Sequence, residues 1–247
     1  MSLAPSAAAP APATAVTPLI AAAITTAAVT AVSYLAPDRY AATLVGVTFL
    51  AATWWLVLRH DAATVREFGL SMGGLLEPRK LDARHLGLST LTALGWLLLL
   101  GVLVFPLFWL GYYWWMRWVG AISHHAHFIL RWPKSVVDEL AGQVVVIALP
   151  EEAFFRGYLQ TALDRAWPPR WRILGAQLGP GWLVASAIFA VGHVLTIRHP
   201  ARLAVFFPAL VFGWLRARTG GVGASVAFHA SCNLLSALLG RGYGLSG

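Results

Sequence analysis

The chain has 247 residues, of which 58% are hydrophobic and only 11% charged, with 12 tryptophans and a mean hydropathy of +0.68. Soluble domains carry about 25% charged residues, so the composition excludes an ordinary soluble protein and indicates an integral membrane protein. The net charge of +8 does not indicate nucleic-acid binding, because the basic residues stand at the ends of apolar runs and form no single patch.

The N-terminal residues 1–17 are a low-complexity Ala/Pro segment, which predicts a disordered lead-in. Beyond them, apolar runs recur that approach the roughly 20 residues needed to cross a membrane. They predict seven transmembrane helices, at 19–36, 40–58, 87–110, 136–160, 181–197, 201–217 and 220–239. The aromatic segment 112–130 is a possible eighth span. The fold class is therefore an all-α, polytopic transmembrane helix bundle of seven or eight spans.

Two regions follow from this reading. Residues 18–135 form an N-terminal transmembrane region, interrupted by a polar loop at 59–86 that is expected to include a surface-lying helix. Residues 136–240 form a second transmembrane region, a core that holds every distinctive motif. The histidines in "HHAHF" (His124, His125 and His127) stand beside Trp and Tyr, which favours placement at the membrane interface over a metal site. Cys232 is the only cysteine, and a small buried apolar role is favoured over a nucleophilic one.

The segment "ALPEEAFFRGYLQ" places Glu151, Glu152 and Arg156 in a predicted span. Each charge costs about 2.5–3.5 kcal/mol at the centre of a membrane helix, so such residues usually face an interior cavity and serve a function. Glu152 and Arg156 are four residues apart, in the order that favours an ion pair on one helix face. Glu151 is rotated by about 100° from Glu152, which predicts that it points elsewhere. Pro150 frees backbone groups that polar partners must satisfy.

Two later spans also carry polar groups at helical spacing. His193 follows Phe189 by one turn, and Asn233 follows His229 by one turn. Each pair lies on a single helix face. Together with the Glu residues, these groups can surround one cavity with a base, a proton carrier and an amide donor for an oxyanion.

These motifs resemble those of the CAAX protease and bacteriocin-processing family, which includes the type II CAAX prenyl endopeptidase. The resemblance covers about residues 136 to 240 and has three parts: EExxxR at Glu151, Glu152 and Arg156, FxxxH at Phe189 and His193, and HxxxN at His229 and Asn233. It implies an intramembrane endopeptidase of the glutamic type that needs no cofactor. It further implies that Glu151 and His193 activate a water, and that His229 and Asn233 stabilise the oxyanion. Glu152, Arg156 and Phe189 would support them.

The resemblance also implies the partners. These are the lipid bilayer and a membrane-associated protein or peptide, cleaved at a CAAX-like tail, a leader peptide or a C-terminal sorting tail. The Ala- and Arg-rich composition resembles that of GC-rich bacteria, so we expect a multi-pass protein of the bacterial cytoplasmic membrane. A protease of protein-sorting tails that resembles myxosortase is one candidate for this chain.

Three alternatives stay open at this point. A zinc-dependent protease could use Glu151, His193 and His229 as ligands with an open fourth position. An ion-coupled transporter also buries Glu, Arg and His, although no repeat with paired broken helices is visible. A non-catalytic membrane scaffold or immunity protein would keep the same fold.

Overall fold

A computed structural model describes residues 14–77, 81–123 and 126–245, and these are almost entirely helical. The helices that correspond to predicted spans are α1 (Val16–Leu35), α2 (Asp38–Thr53), α4 (Ala83–Trp118), α8 (Pro180–Thr196), α9 (Phe206–Thr219) and α10 (Gly223–Gly242), with the short α3 (Ala62–Glu67) between α2 and α4. A π-helical turn, Trp54–Leu58, extends α2, and a 3₁₀ turn, Pro200–Val205, precedes α9. All seven predicted spans are helical, and the all-α membrane bundle is confirmed. Most of the predicted lead-in, together with His124 and His125, lies outside the described residues.

The fourth predicted span forms one long helical run, residues 136–166, which we name the motif helix. It consists of α5 (Val136–Ala141), a π turn (Gly142–Ala148), α6 (Leu149–Glu152), a second π turn (Ala153–Gln160) and α7 (Thr161–Ala166). All eight residues of the second π turn are buried. The middle of the motif helix therefore lies inside the bundle, where Glu152 and Arg156 are buried.

Membrane crossing is supported by length and hydropathy. Five helical segments in the described part of the chain are long and apolar enough to cross a membrane: Val16–Leu35, Asp38–Leu58, Ala83–Trp118, Pro200–Thr219 and Gly223–Gly242. Pro180–Thr196 is a shorter apolar helix. The motif helix carries Glu151, Glu152 and Arg156 between its apolar residues. The protein is thus a multi-pass membrane protein.

The helix α4 differs most from its predicted span. It has 36 residues, or about 54 Å at 1.5 Å per residue, which exceeds the roughly 30 Å hydrocarbon layer. Residues 112–118 form the last part of α4. Residues 119–123 and 126–135 contain no helix. The possible eighth span at 112–130 does not form. No residue of α4 is buried, as expected for a helix with one side on lipid.

Polar side chains fix where several helices begin. Asp82 caps α4 by accepting hydrogen bonds from the backbone N–H groups of Arg84 and His85, at 2.9 and 3.2 Å. Ser135 caps α5 by accepting from the N–H of Asp138 at 3.2 Å. Such caps satisfy N–H groups that have no partner within the helix. Ser135 therefore sets the start of the motif helix.

The polar loop does not lie free on the surface. Its short helix α3 buries Val65, and Phe68 and Leu70 are buried beyond it. Leu70 packs onto Gly157 of the motif helix, where an added Cβ would lie 2.4 Å from its Cδ2 atom. The N–H of Val222 donates to the carbonyl of Gly69 at 2.9 Å. The loop thus braces the motif helix against the start of α10.

One small sheet interrupts the helical pattern. The strands β1 (Trp171–Ile173) and β2 (Ala176–Leu178) pair antiparallel. Leu174 and Gly175 form the turn with φ angles of 46° and 82°, the two positive φ values that a tight two-residue hairpin requires. This hairpin follows the motif helix and leads into α8.

Candidate active site

Pro150 shapes the motif helix just before the two glutamates. Proline has no N–H, so the carbonyl of Val146, four residues earlier, loses its usual helical donor. Gly46 of α2 packs at this carbonyl: a Cβ added to Gly46 would lie 2.3 Å from the oxygen. The absent side chain allows α2 to approach the helix closely. The π turns on both sides of α6 fit this disturbed hydrogen bonding, and such turns occur frequently at functional sites.

Glu152 and Arg156 form the ion pair that their spacing predicts. Arg156 Nη1 lies 3.1 Å from Glu152 Oε1, and the two side chains are 1% and 0% exposed. The Nη1 group makes no hydrogen bond of good geometry, so charge attraction is the main contact there. Arg156 Nη2 donates to the carbonyl of Ala209 at 3.1 Å. The guanidinium also lies over the ring of Phe189, 4.4 Å from its centroid. The pair joins the motif helix to α8 and α9.

His229 lies between the two carboxylates. Its Nδ1 donates to Glu152 Oε1 at 2.9 Å, and its Nε2 lies 3.8 Å from Glu151 Oε2. The imidazole stacks on Phe212 at 4.7 Å between centroids and 14° between planes. A carboxylate that is ion-paired with Arg156 can only accept hydrogen bonds, so Nδ1 is assigned as the donor. Nε2 is therefore the nitrogen that is directed towards Glu151.

Glu151 is positioned differently from its neighbour. Its Oε2 atom is buried and has no hydrogen-bond partner in the described part of the chain. The 3.8 Å separation from His229 is too long for a hydrogen bond. A buried carboxylate oxygen without a donor is costly. Oε2 of Glu152 is also buried without a donor among the described residues, but of the two residues only Glu151 lines the cavity.

His193 is oriented by its own helix. Its Nδ1 lies 3.0 Å from the carbonyl oxygen of Phe189, so Nδ1 carries the proton and Nε2 keeps its lone pair. The Phe189 ring packs 4.4 Å from the His193 ring and 5.9 Å from the His229 ring, centroid to centroid. Phe189 therefore separates the two histidines and fixes both rings.

Asn233 has a partner that the motifs do not contain. Its Nδ2 donates to Oε1 of Gln143 at 3.0 Å. Gln143 belongs to the first π turn of the motif helix, eight residues before Glu151. Sequence reasoning missed Gln143, although a polar side chain in an apolar span is itself a signal of function.

A single cavity of about 1530 Å³ collects the polar groups of the site. The predicted reacting residues all line it, namely Glu151, His193, His229 and Asn233, and so do Gln143 and Cys232. Glu152 and Arg156 are not among the lining residues and lie behind His229. The remaining walls are largely apolar and include side chains of α1, α2, α4 and α9. The structure therefore separates a set that faces the cavity from a buried ion pair that supports it.

The part of the chain that carries the motifs is similar to a known protein family. Residues 134–235 match the family model of the type II CAAX prenyl endopeptidase Rce1-like proteins. This region belongs to the CAAX protease family. Every motif residue discussed above, and Gln143, lies inside the match. No curated protein and no solved structure matches the chain.

The match to the CAAX protease family indicates that this protein is a protease. The family match covers less than half of the chain. The parts of α1, α2 and α4 that line the cavity lie outside the matched region. The matched region thus contains all the predicted reacting residues, and the rest of the chain supplies part of the cavity wall.

The zinc alternative can be compared with the geometry of this CAAX protease site. Among the described residues, no three His, Cys, Asp or Glu side chains form a group arranged to hold a metal ion. His229 directs Nδ1 to Glu152, and His193 directs Nδ1 to a carbonyl. Zinc could therefore use only the Nε2 atoms, together with Glu151, and would need these side chains to move together.

Proposed function

We propose that this protein is an intramembrane endopeptidase in which Glu151 is the general base. The observation that carries the proposal is the buried, unpartnered Oε2 atom of Glu151 in a cavity shared with His193. A water between these two side chains would donate one hydrogen to the carboxylate and the other to Nε2 of His193. The backbone carbonyl of Phe189 accepts the Nδ1–H of His193. In the neutral ring, Nε2 is therefore the atom that accepts a hydrogen from the water.

The reaction then follows from the positions of these groups. The water oxygen bonds to the carbonyl carbon of the scissile peptide, and Glu151 takes the water proton. The carbonyl oxygen becomes an oxyanion. When the C–N bond breaks, Glu151 returns the proton to the leaving nitrogen. The products are a new carboxylic acid and a new amine, so all atoms balance.

His229 and Asn233 are proposed as the oxyanion donors. Glu152 accepts the Nδ1–H of His229, so a second proton on Nε2 gives a cationic donor that faces the cavity. The Nδ2 group of Asn233 supplies a neutral donor. Preorganised donors of this kind typically contribute about 10²–10³ in rate each. Arg156 supports the set because it pairs with Glu152 at 3.1 Å and so helps to hold the carboxylate against His229.

The cavity indicates the class of substrate. Its volume of about 1530 Å³ exceeds the roughly 300–1,000 Å³ of small-molecule sites. Its largely apolar walls suit an extended, apolar peptide segment near the membrane end of a substrate. A CAAX-like tail, a leader peptide and a C-terminal sorting tail all have this character, and we propose the bacterial cytoplasmic membrane as the location. The mechanism as proposed uses no metal.

The test uses the full chain reconstituted in proteoliposomes and internally quenched peptides. One peptide ends in a farnesylated cysteine followed by three residues, the substrate type in the family description; the others carry an unprenylated apolar tail or leader segment. Glu151→Gln should remove cleavage while the protein keeps its melting temperature. Glu67→Gln is the matched control, because this exposed glutamate pairs only with Arg165. Full cleavage by Glu151→Gln, or no cleavage of any peptide by the parent, contradicts the proposal.

A further inference from the structure

Gln143 and Asn233 form a side-chain pair across two helices. The amide of Asn233 on α10 donates from Nδ2 to Oε1 of Gln143 on the motif helix, at 3.0 Å. Both residues line the cavity, and both are only partly buried. The pair therefore stands at the wall of the proposed active site and not in the packed core.

The hydrogen bond fixes which way the Asn233 amide points. An asparagine amide has two donor hydrogens on nitrogen and an acceptor oxygen at the other end. Gln143 Oε1 takes one hydrogen, and turning the Asn233 amide alone would bring two oxygens together. The second Nδ2 hydrogen stays available for the cavity.

Gln143 itself keeps a free donor group. Its Nε2 has no acceptor within the described parts of the chain, residues 14–77, 81–123 and 126–245. A purely structural amide pair between membrane helices usually satisfies more of its groups, since unpaired polar atoms are costly. The open Nε2 group and the open Asn233 N–H are carried by neighbouring side chains on one cavity wall.

We infer that Gln143 is a positioning residue that orients the Asn233 amide towards the developing oxyanion. This inference rests on the proposed function for its catalytic meaning. The pairing of the two side chains can be measured without any activity. Gln143 belongs to none of the three motifs and acts through Asn233.

The first measurement uses the fact that Asn233 is the only asparagine of the chain. Protein labelled with ¹⁵N in the asparagine side chain gives a single pair of side-chain amide signals in detergent micelles. Gln143→Met keeps the approximate volume but removes the acceptor. We expect its Asn233 amide hydrogens to exchange with water about three- to tenfold faster, the effect of losing one modest hydrogen bond. Gln143→Glu keeps an acceptor oxygen and should retain the slow exchange of the parent.

The second measurement is a double-mutant cycle on kcat with the best cleaved peptide of the panel. Gln143→Met should lower kcat by about three- to tenfold with little change in KM, since the interaction serves the transition state. The same change made in Asn233→Ala should have no further effect, because Gln143 then has nothing to orient. Ser231→Ala is the control: its hydroxyl, also on α10, bonds only to the carbonyl of Ala227. Both readouts should stay at parent values.

The outcomes separate the two proposals. Unchanged amide exchange in Gln143→Met overturns the inference, whatever the activity. An equal loss of kcat from Gln143→Met with and without Asn233 also overturns it, because Gln143 then acts independently. If the parent cleaves none of the peptides while the amide exchange responds as expected, the proposed function fails and the side-chain orientation stands.

Discussion

Replacing Arg156 by methionine is expected to destabilise the protein strongly. The Glu152 side chain is fully buried and the Arg156 side chain is 1% exposed. Removing one partner of a buried ion pair leaves a buried charge without compensation, at a cost of about 3–5 kcal/mol. At about 2–4 °C for each kcal/mol in a chain of this size, the melting temperature should fall by roughly 6–20 °C. Cleavage should fall as well, because Glu152 then loses the partner that holds it against His229.

A matched pair of variants tests whether burial of charge is the cause. Arg165 and Glu67 approach more closely, at 2.6 Å, but their side chains are 39% and 63% exposed. Exposed pairs contribute about 0–1 kcal/mol, so Arg165→Met should shift the melting temperature by only a few degrees. The double variant Glu152→Gln with Arg156→Met removes both charges and should regain much of the stability, but not the activity.

Thermal unfolding in detergent, followed by intrinsic tryptophan fluorescence, measures all of these variants. The reasoning is refuted if Arg156→Met and Arg165→Met melt at the same temperature. It is also refuted if the double variant is no more stable than Arg156→Met alone, because the cost would then come from lost packing and not from an unpaired glutamate.

Two further predictions concern helix packing and the metal. Gly46→Ala should cost about 1–3 kcal/mol of stability, since the new Cβ meets the backbone oxygen of Val146. Gly111→Ala is the control and should be neutral or slightly stabilising, because a Cβ added there has nothing within 4 Å. An equal melting temperature of the two variants would contradict the close approach of α2 to the motif helix. Chelated parent enzyme should keep its activity and hold well under one equivalent of zinc, measured by elemental analysis. His229→Ala should lower turnover by about 10²–10³ and leave residual cleavage. Stoichiometric zinc in the parent that is lost in His229→Ala would instead assign Nε2 to a metal.

The ion pair shows what sequence alone can predict. Glu152 and Arg156 lie on one helix, and their separation is set by local geometry that a π turn does not abolish. The bond between His229 and Glu152 was not predictable in the same way, because it depends on how α10 packs against the motif helix. The sequence therefore predicted which residues share a face, but not which nitrogen meets which carboxylate.

The missed features have physical reasons as well. Gln143 is uncharged and isolated in an apolar span, so its importance depends on a partner 90 residues away. The strands β1 and β2 have three residues each, too few for an alternating pattern to be visible. The aromatic segment after Trp109 is apolar enough for a span, but α4 simply continues through its first part. Hydropathy measures apolar length and does not report where a helix stops.

The division of the cavity wall has a consequence for substrate choice. The groups proposed to break the bond come from the motif helix, α8 and α10, whereas much of the surface available to the substrate comes from Val45 and Phe49 on α2 and from Tyr112 and Met116 on α4. Under the proposed function, the chemistry and the selectivity therefore come from different stretches of the same chain. A change of side-chain size along α2 or α4 would alter which peptides fit while leaving the proton transfers in place. The same reaction could in this way be redirected to a new substrate without touching a single reacting group.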